Sequence, residues 1–439
     1  MRRFLSLFIV FSLLFAPNSD AFRMGMGKSI AMSKARDPQV AKYPDILKMP
    51  DGLTFYADYE NKYGELNAAY SIGSPIATFT CDRTGATISP GTYIDSNGVI
   101  QLMPADDNTP RFTSGYYDAT GFHAKRGLLI EGQRTNLLTY SSTPENAAWT
   151  KTSITAANAD VGSSSPDGTA TAPSLTATGA NGTFLRASGA TGQTYSVFIK
   201  RKTGTGKIYV TANGGTNYTE VTVTSGWARF QETRASASQT CGIKIETSGD
   251  AIYVWNNQYE AAPYMSSPIE CPTDAVTRNG DVLKYLISGN RTAAQETIAI
   301  KFAPENTHVN DGVTTYLLDS SPDRIIIYKG ATSSKLGFRP NATDSGGSEA
   351  ITSTSATKNT SSVFCGVANG VHPFTYFDGV YENTDADSYI IPSLGQYFYI
   401  GSKADGTEQS NAIIQKVAFF NRALSTTEVA QVSELMGHD

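Results

Sequence analysis

The side chains able to do chemistry in this sequence are few and poorly grouped. Its four histidines, His123, His308, His372 and His438, are scattered, and none sits in a His-Glu-x-x-His or other metal-ligand spacing. No Gly-x-Ser-x-Gly turn presents a nucleophilic serine, and no glycine-rich loop would cradle a phosphate. The four cysteines, Cys81, Cys241, Cys271 and Cys365, show neither CxxC nor zinc spacing. Buried thiols are expected, with a Cys241–Cys271 bridge as the alternative in an exported chain. Glycoside cleavage needs two carboxylates roughly 5 to 10 Å apart. With 40 Asp and Glu, the sequence does not show whether any two stand so. The chain therefore reads as not an enzyme.

Binding chemistry is better represented. The stretch Ser114-Gly115-Tyr116-Tyr117-Asp118-Ala119-Thr120-Gly121-Phe122 reads as a loop carrying three rings. Tyr116, Tyr117 and Phe122 are the candidate glycan-binding residues, because an aromatic face packs well against the C–H face of a pyranose. Of the three tryptophans, Trp255 lies in an alternating apolar run and Trp227 precedes a strand, so both are expected in the core, and Trp149 lies in the same middle section. Asp311, Asp319 and Asp323 offer the hard oxygens calcium takes, but their spacing matches no EF-hand loop. No cofactor and no metal ligand set is expected, calcium being the one candidate ion.

These residues must be positioned by strands. The 439 residues are 17% charged, and Gly, Ser, Thr and Asn replace the missing charge, which suits short strands and tight turns. With a formal net charge of −5 and no long Lys/Arg run, a nucleic-acid partner is excluded as an expectation. Alternation in Tyr195–Lys200 and Thr297–Phe302 puts Ile298, Ile300 and Phe302 on one face. Asp95-Ser96-Asn97-Gly98, Pro166-Asp167-Gly168 and Asp378-Gly379 read as turns. The one clear helix follows Ser425-Thr426-Thr427-Glu428, a capping box, with Val429, Val432 and Leu435 at helical spacing.

Residues 1–21 read as a signal peptide: Arg2 and Arg3, an apolar run from Phe4 to Ala16, then small residues at Ser19-Asp20-Ala21. No stable membrane span is expected in the mature chain. Residues 22–49 form an unpatterned N-terminal arm, and a joint is expected at 279–295. The fold class is all-β: tandem antiparallel β-sandwiches of jelly-roll type with a short C-terminal helix. One sandwich is assigned to 50–282 and the other to 290–439. Residues 50–126 are read as completing the sheets of the first.

Two resemblances sharpen this. Thr78 to Val282 resembles a module of phage and prophage surface proteins, tail-fibre-like and virion-associated, of carbohydrate-binding jelly-roll type. The resemblance rests on Pro110-Arg111-Phe112, on Gly127-Leu128-Leu129-Ile130-Glu131-Gly132-Gln133-Arg134-Thr135-Asn136-Leu137-Leu138, on Gly226-Trp227-Ala228-Arg229-Phe230, and on Thr277-Arg278 with Asp281-Val282. Residues from about 290 to 436 resemble laminin-G/concanavalin A-like jelly rolls through Tyr376-Phe377-Asp378-Gly379, Phe398-Tyr399-Ile400-Gly401 and Lys416–Ser425. The first resemblance implies a module without catalytic chemistry, the second binding of sugars or proteins.

The expectation is thus a non-catalytic, secreted or cell-surface protein, or one on a virion surface, that recognises glycans or other host-surface ligands. Weak sites would gain from repetition in a homo-oligomer or assembly. Two alternatives are a structural subunit of an extracellular filament, fibre or capsid decoration, and a secreted glycan-cleaving enzyme.

Overall fold

A computed structural model describes residues 44–437, except 62–69, 72–76, 82–87, 105–108, 293, 306–311, 322–325, 332–333, 342–347 and 391–394. The expected signal peptide, most of the arm, His308, His438, Asp311 and Asp323 lie outside the described residues. The chain divides into a unit ending at Asp51 and a unit spanning Gly52–Asp439. Of the first, the described part holds one short 3-10 turn, Pro44–Leu47.

The second unit is all-β, a jelly-roll sandwich architecture with one terminal helix. A nine-stranded and a seven-stranded antiparallel sheet share one apolar core, in which Phe55, Ile298, Ile300, Phe338, Phe398 and Phe419 meet. The expected alternation holds: Ile298, Ile300 and Phe302 of the Glu296–Pro304 strand all enter this core. The strand's other face is covered too, because the Thr426–Met436 helix lies against it and buries Val429, Val432 and Met436. That helix starts as expected, with Ser425 and Glu428 forming a reciprocal capping box. Asp378-Gly379 is a hairpin turn with both residues at positive φ, 49° and 80°.

Residues 53–130 join a different sandwich from the one expected. Leu53–Asp58 pairs with Ala412–Phe420, placing Tyr56 opposite Ala418. Ala77–Thr80 pairs with Val282–Leu286, and Gly121–Ile130 pairs with Ala412–Phe420 through Ile130 and Ala412. The physical reason is apolar: Phe55, Phe79, Phe112, Leu128 and Ile130 all fill the core they share with Ile298 and Phe419. The Val282–Leu286 strand, expected in a joint, belongs to the seven-stranded sheet.

The middle module is consequently inserted into the C-terminal sandwich. It is an eight-stranded antiparallel sheet built around two long strands, Gly182–Thr203 and Ala228–Ile245. Their register slips between Ala187 and Thr194, where Gly192 lets the Tyr259 ring approach closely. The two ends of the strand pair contribute Phe184 and Ile243, and Val197 and Ile199, to one core, which Val210 and Val254 of the neighbouring strands join. Trp149 sits there, stacked on Phe184 at 4.2 Å between ring centroids.

Candidate functional site

The site is built where the inserted module meets its host. Phe112–Asp118 and Gly121–Ile130 form a hairpin of the host sandwich. Tyr116 and Tyr117 were expected in a loop, as was Phe122, but all three lie on strands of this hairpin; only residues 119 and 120 make the turn. Cross-strand pairing explains the difference, since Tyr116 faces His123 and Tyr117 faces Phe122.

The two pairs have separate roles. Tyr117 and Phe122 pack against Phe198 and Trp255 of the inserted module, and Tyr117 also donates its hydroxyl to Gly98 O at 2.7 Å. They dock the hairpin. Tyr116 and His123 stack almost parallel, 5.0 Å apart and 17° from coplanar, and form a flat half-buried platform. Asp118 at the turn accepts from Thr120 N at 2.8 Å and from His123 Nε2 at 3.0 Å, which fixes the histidine ring.

Beside this platform runs an open groove of about 490 Å³, lined by Tyr116, Asp118, Arg229, Gln231, Met265 and Lys358. That volume lies in the range of small-molecule sites. A recess of about 50 Å³ continues inward past Phe198 and Ser266 to Glu305. Arg229 donates Nη1 to Ser266 O at 2.7 Å and Nη2 to Ser196 Oγ at 3.1 Å, with its guanidinium 5.2 Å from the Phe198 ring centroid. Burial draws its pKa down to about 10 against the pull of Glu260, Glu131 and Glu305. Asn359 N donates to Pro304 O at 2.7 Å, which holds Lys358 next to Glu305.

Behind the recess lies a buried ionic cluster. Arg111 Nη1 reaches Glu131 Oε2 at 2.7 Å, and Arg111 also pairs with Asp281. Arg278 stands 3.4 Å from the same Glu131 oxygen. Ser267 completes the set, donating N to Glu131 Oε1 at 2.7 Å and Oγ to Oε2 at 2.6 Å. Burial opposes charge on Glu131, but the Arg278 and Arg111 guanidiniums more than offset it and hold the carboxyl well below the ordinary range. Glu305 is the reverse case. Burial, then the charge of Glu131, push it up to about 8. Arg111, Glu131, Arg278 and Asp281 come from the most distinctive motifs of the sequence; their work is to fasten the insertion to its host.

The other expected sites lie elsewhere. Asp319 is buried and accepts from Ser320 N and Ala404 N, both at 2.8 Å. No group of three or more His, Cys, Asp or Glu fit for a metal occurs among the described residues. Trp255 is buried as expected, and half-buried Trp227 donates Nε1 to Ser164 O at 2.9 Å. All four cysteines are buried and free, so the Cys241–Cys271 bridge does not form. No helix of the described residues is long and apolar enough to cross a membrane.

Residues 284–430 match the family model of the concanavalin A-like lectin/glucanases superfamily, a laminin-G-type domain. This stretch is therefore a concanavalin A-like lectin/glucanase domain, and its jelly-roll class is that of the host sandwich. No curated protein sequence matches the chain. Among solved structures, a heptameric SAP-like pentraxin from Limulus polyphemus is 17% identical, covers 32% of this chain and 70% of its own, with TM-score 0.25. Domain 4 of AbnA, an extracellular GH43 arabinanase from Geobacillus stearothermophilus in complex with arabinotriose, is 12% identical over 36% of this chain and 73% of its own, TM-score 0.27. The NanB sialidase from Streptococcus pneumoniae is 16% identical over 34% of this chain, TM-score 0.27, and this chain spans only 26% of it.

Proposed function

We propose that this chain is an exported, non-catalytic glycan-binding protein of a cell or virion surface, and that its sugar lies in the groove beside Tyr116. One observation carries the reading. Tyr116, its ring stacked on His123, lines a groove that also presents the polar groups of Arg229, Gln231 and Lys358 beside apolar Met265. A ring face stacks on the apolar side of a pyranose while its hydroxyls meet polar groups, and a groove open on one side admits an internal segment of a chain. The lectin/glucanase match over 284–430 and the resemblance of the middle module to phage surface proteins support the same ligand class. Copies displayed in an oligomer would raise weak single-site affinity.

Glu305 favours a second reading, glycan cleavage, because a carboxyl held protonated near neutral pH and lining a recess has the state of a general acid. The pairing counts against it. Glu131, the carboxylate whose charge acts on Glu305, is fully enclosed by Arg111, Arg278 and Ser267. Cleavage would want the second carboxylate roughly 5 to 10 Å away and facing the sugar.

Screening the full chain on a glycan array tests the proposal. Specific retention that falls at least about tenfold in Tyr116→Ala, with unchanged thermal unfolding, is the expected result. Retention indifferent to Tyr116 would place the site elsewhere, and release of reducing ends from a retained glycan would install the enzymatic reading instead.

A further inference from the structure

The groove carries a positive charge that nothing around it neutralises. Lys358 lines both the groove and the inner recess and is half-buried. Among the described residues its ammonium makes no hydrogen bond and no ion pair. Burial lowers its pKa, with the field of Glu305 and Asp118 acting the other way.

The carboxyls near it are committed elsewhere. Burial and the charge of Glu131 push Glu305 up to about 8, so it keeps its proton at neutral pH. Asp118 is held by Thr120 and His123. Glu260 accepts from Ser266 N at 3.0 Å and Ser266 Oγ at 2.6 Å. Arg229 spends Nη1 and Nη2 on Ser266 and Ser196, yet its Nε is buried with no partner among the described residues. A half-buried ammonium and an incompletely satisfied guanidinium on one floor cost free energy that a neutral hydroxyl returns only in part.

We propose that the groove takes the anionic group of an acidic sugar, a carboxylate or a sulfate ester, held by Lys358 and Arg229 while the sugar ring lies on Tyr116. The proposal rests on the glycan-binding reading and deepens it. Both anions accept several charge-assisted hydrogen bonds from cations of this kind. Glu305, being protonated, does not repel that anion. The chain's overall charge of −5 makes this local cationic floor a feature of the groove and not of the surface at large.

The test uses the full chain and measures affinities for uronate, sialylated and sulfated oligosaccharides beside their methyl-esterified or desulfated counterparts. The tightest ligand should be acidic, and neutralising its charge should weaken it at least about tenfold. Lys358→Met should abolish that difference, and Lys358→Arg should keep most of it. Which acidic series binds identifies carboxylate or sulfate. A neutral glycan bound best, through Tyr116 but indifferent to Lys358, would overturn the inference and leave the glycan-binding reading standing. No retention of any glycan would overturn both.

Discussion

Glu305 and Glu131 act on one another at the junction between the inserted module and its host: burial and the charge of Glu131 push the Glu305 carboxyl up. Only one negative charge is stable there, and the two arginines beside Glu131 decide which carboxyl carries it. Glu305 stays a neutral acid on the groove side, and the rest follows from that asymmetry.

Stability should therefore depend on pH through Glu305. Its ordinary pKa is 4.5 and burial beside Glu131 raises it to about 8, so between those values the native protein holds a proton that the unfolded chain has released. Stability then falls as pH rises across that window, and is fullest below it. Urea unfolding at a series of pH values should show the midpoint dropping between about pH 5 and pH 8, with a flatter profile in Glu305→Gln. Equal slopes in the two proteins would refute the assignment. Arg111, Arg278, Arg229 and Lys358 are the basic groups that bear on the same carboxyl.

Removing the charge of Glu131 should be far more damaging than removing that of Glu305. Glu131→Gln leaves the fully buried guanidiniums of Arg111 and Arg278 short of a carboxylate, which costs about 3–5 kcal/mol. The loss should appear in denaturant unfolding of the whole second unit, because these residues join insertion and host.

A fragment covering 284–439 alone should not fold. It retains the family-matched stretch but lacks Leu53–Asp58 and Gly121–Ile130, both of which pair with Ala412–Phe420. Deleting them exposes Ile414, Val417 and Phe419 along an open sheet edge. Circular dichroism without a cooperative melt, or aggregation on expression, is expected; a soluble fragment with a sharp transition would contradict the topology.

The thiols give a test of burial. Cys81, Cys241, Cys271 and Cys365 are all free and enclosed, and burial pushes the Cys271 thiol up to about 12. A thiol reagent should label none of them in the native protein and all four after unfolding. Reductant should leave the melting temperature unchanged.

Much of the frame was legible because alternation reports a buried face directly. Ile298, Ile300 and Phe302 were found that way, and Ser425 with Glu428 announced the helix through capping chemistry alone. Tyr116 and Tyr117 were legible as ring chemistry but misplaced in a loop, since the short Ala119-Thr120 turn leaves little turn signal between two strands. The partner sheet of residues 53–130 was not legible, because strands such as Leu53–Asp58, Ala77–Thr80 and Gly121–Ile130 pair with strands far along the chain, and such pairing leaves no local mark. Glu305 and Lys358 were missed for a related reason. Each is an ordinary surface residue by sequence, and only tertiary packing brings both to the platform at Tyr116.

The pairing of Tyr56 with Ala418 also sets a clock on folding. The first strand of the second unit is made long before the strand it must sit against, and an entire module is synthesised between them. Until the ribosome has delivered the last strand, Phe55 has no finished core to enter. Contacts of such sequence separation form slowly. The chain must pass a waiting period with apolar strands unpaired, and whatever shields them then, a chaperone or a transit step, decides the yield of native protein.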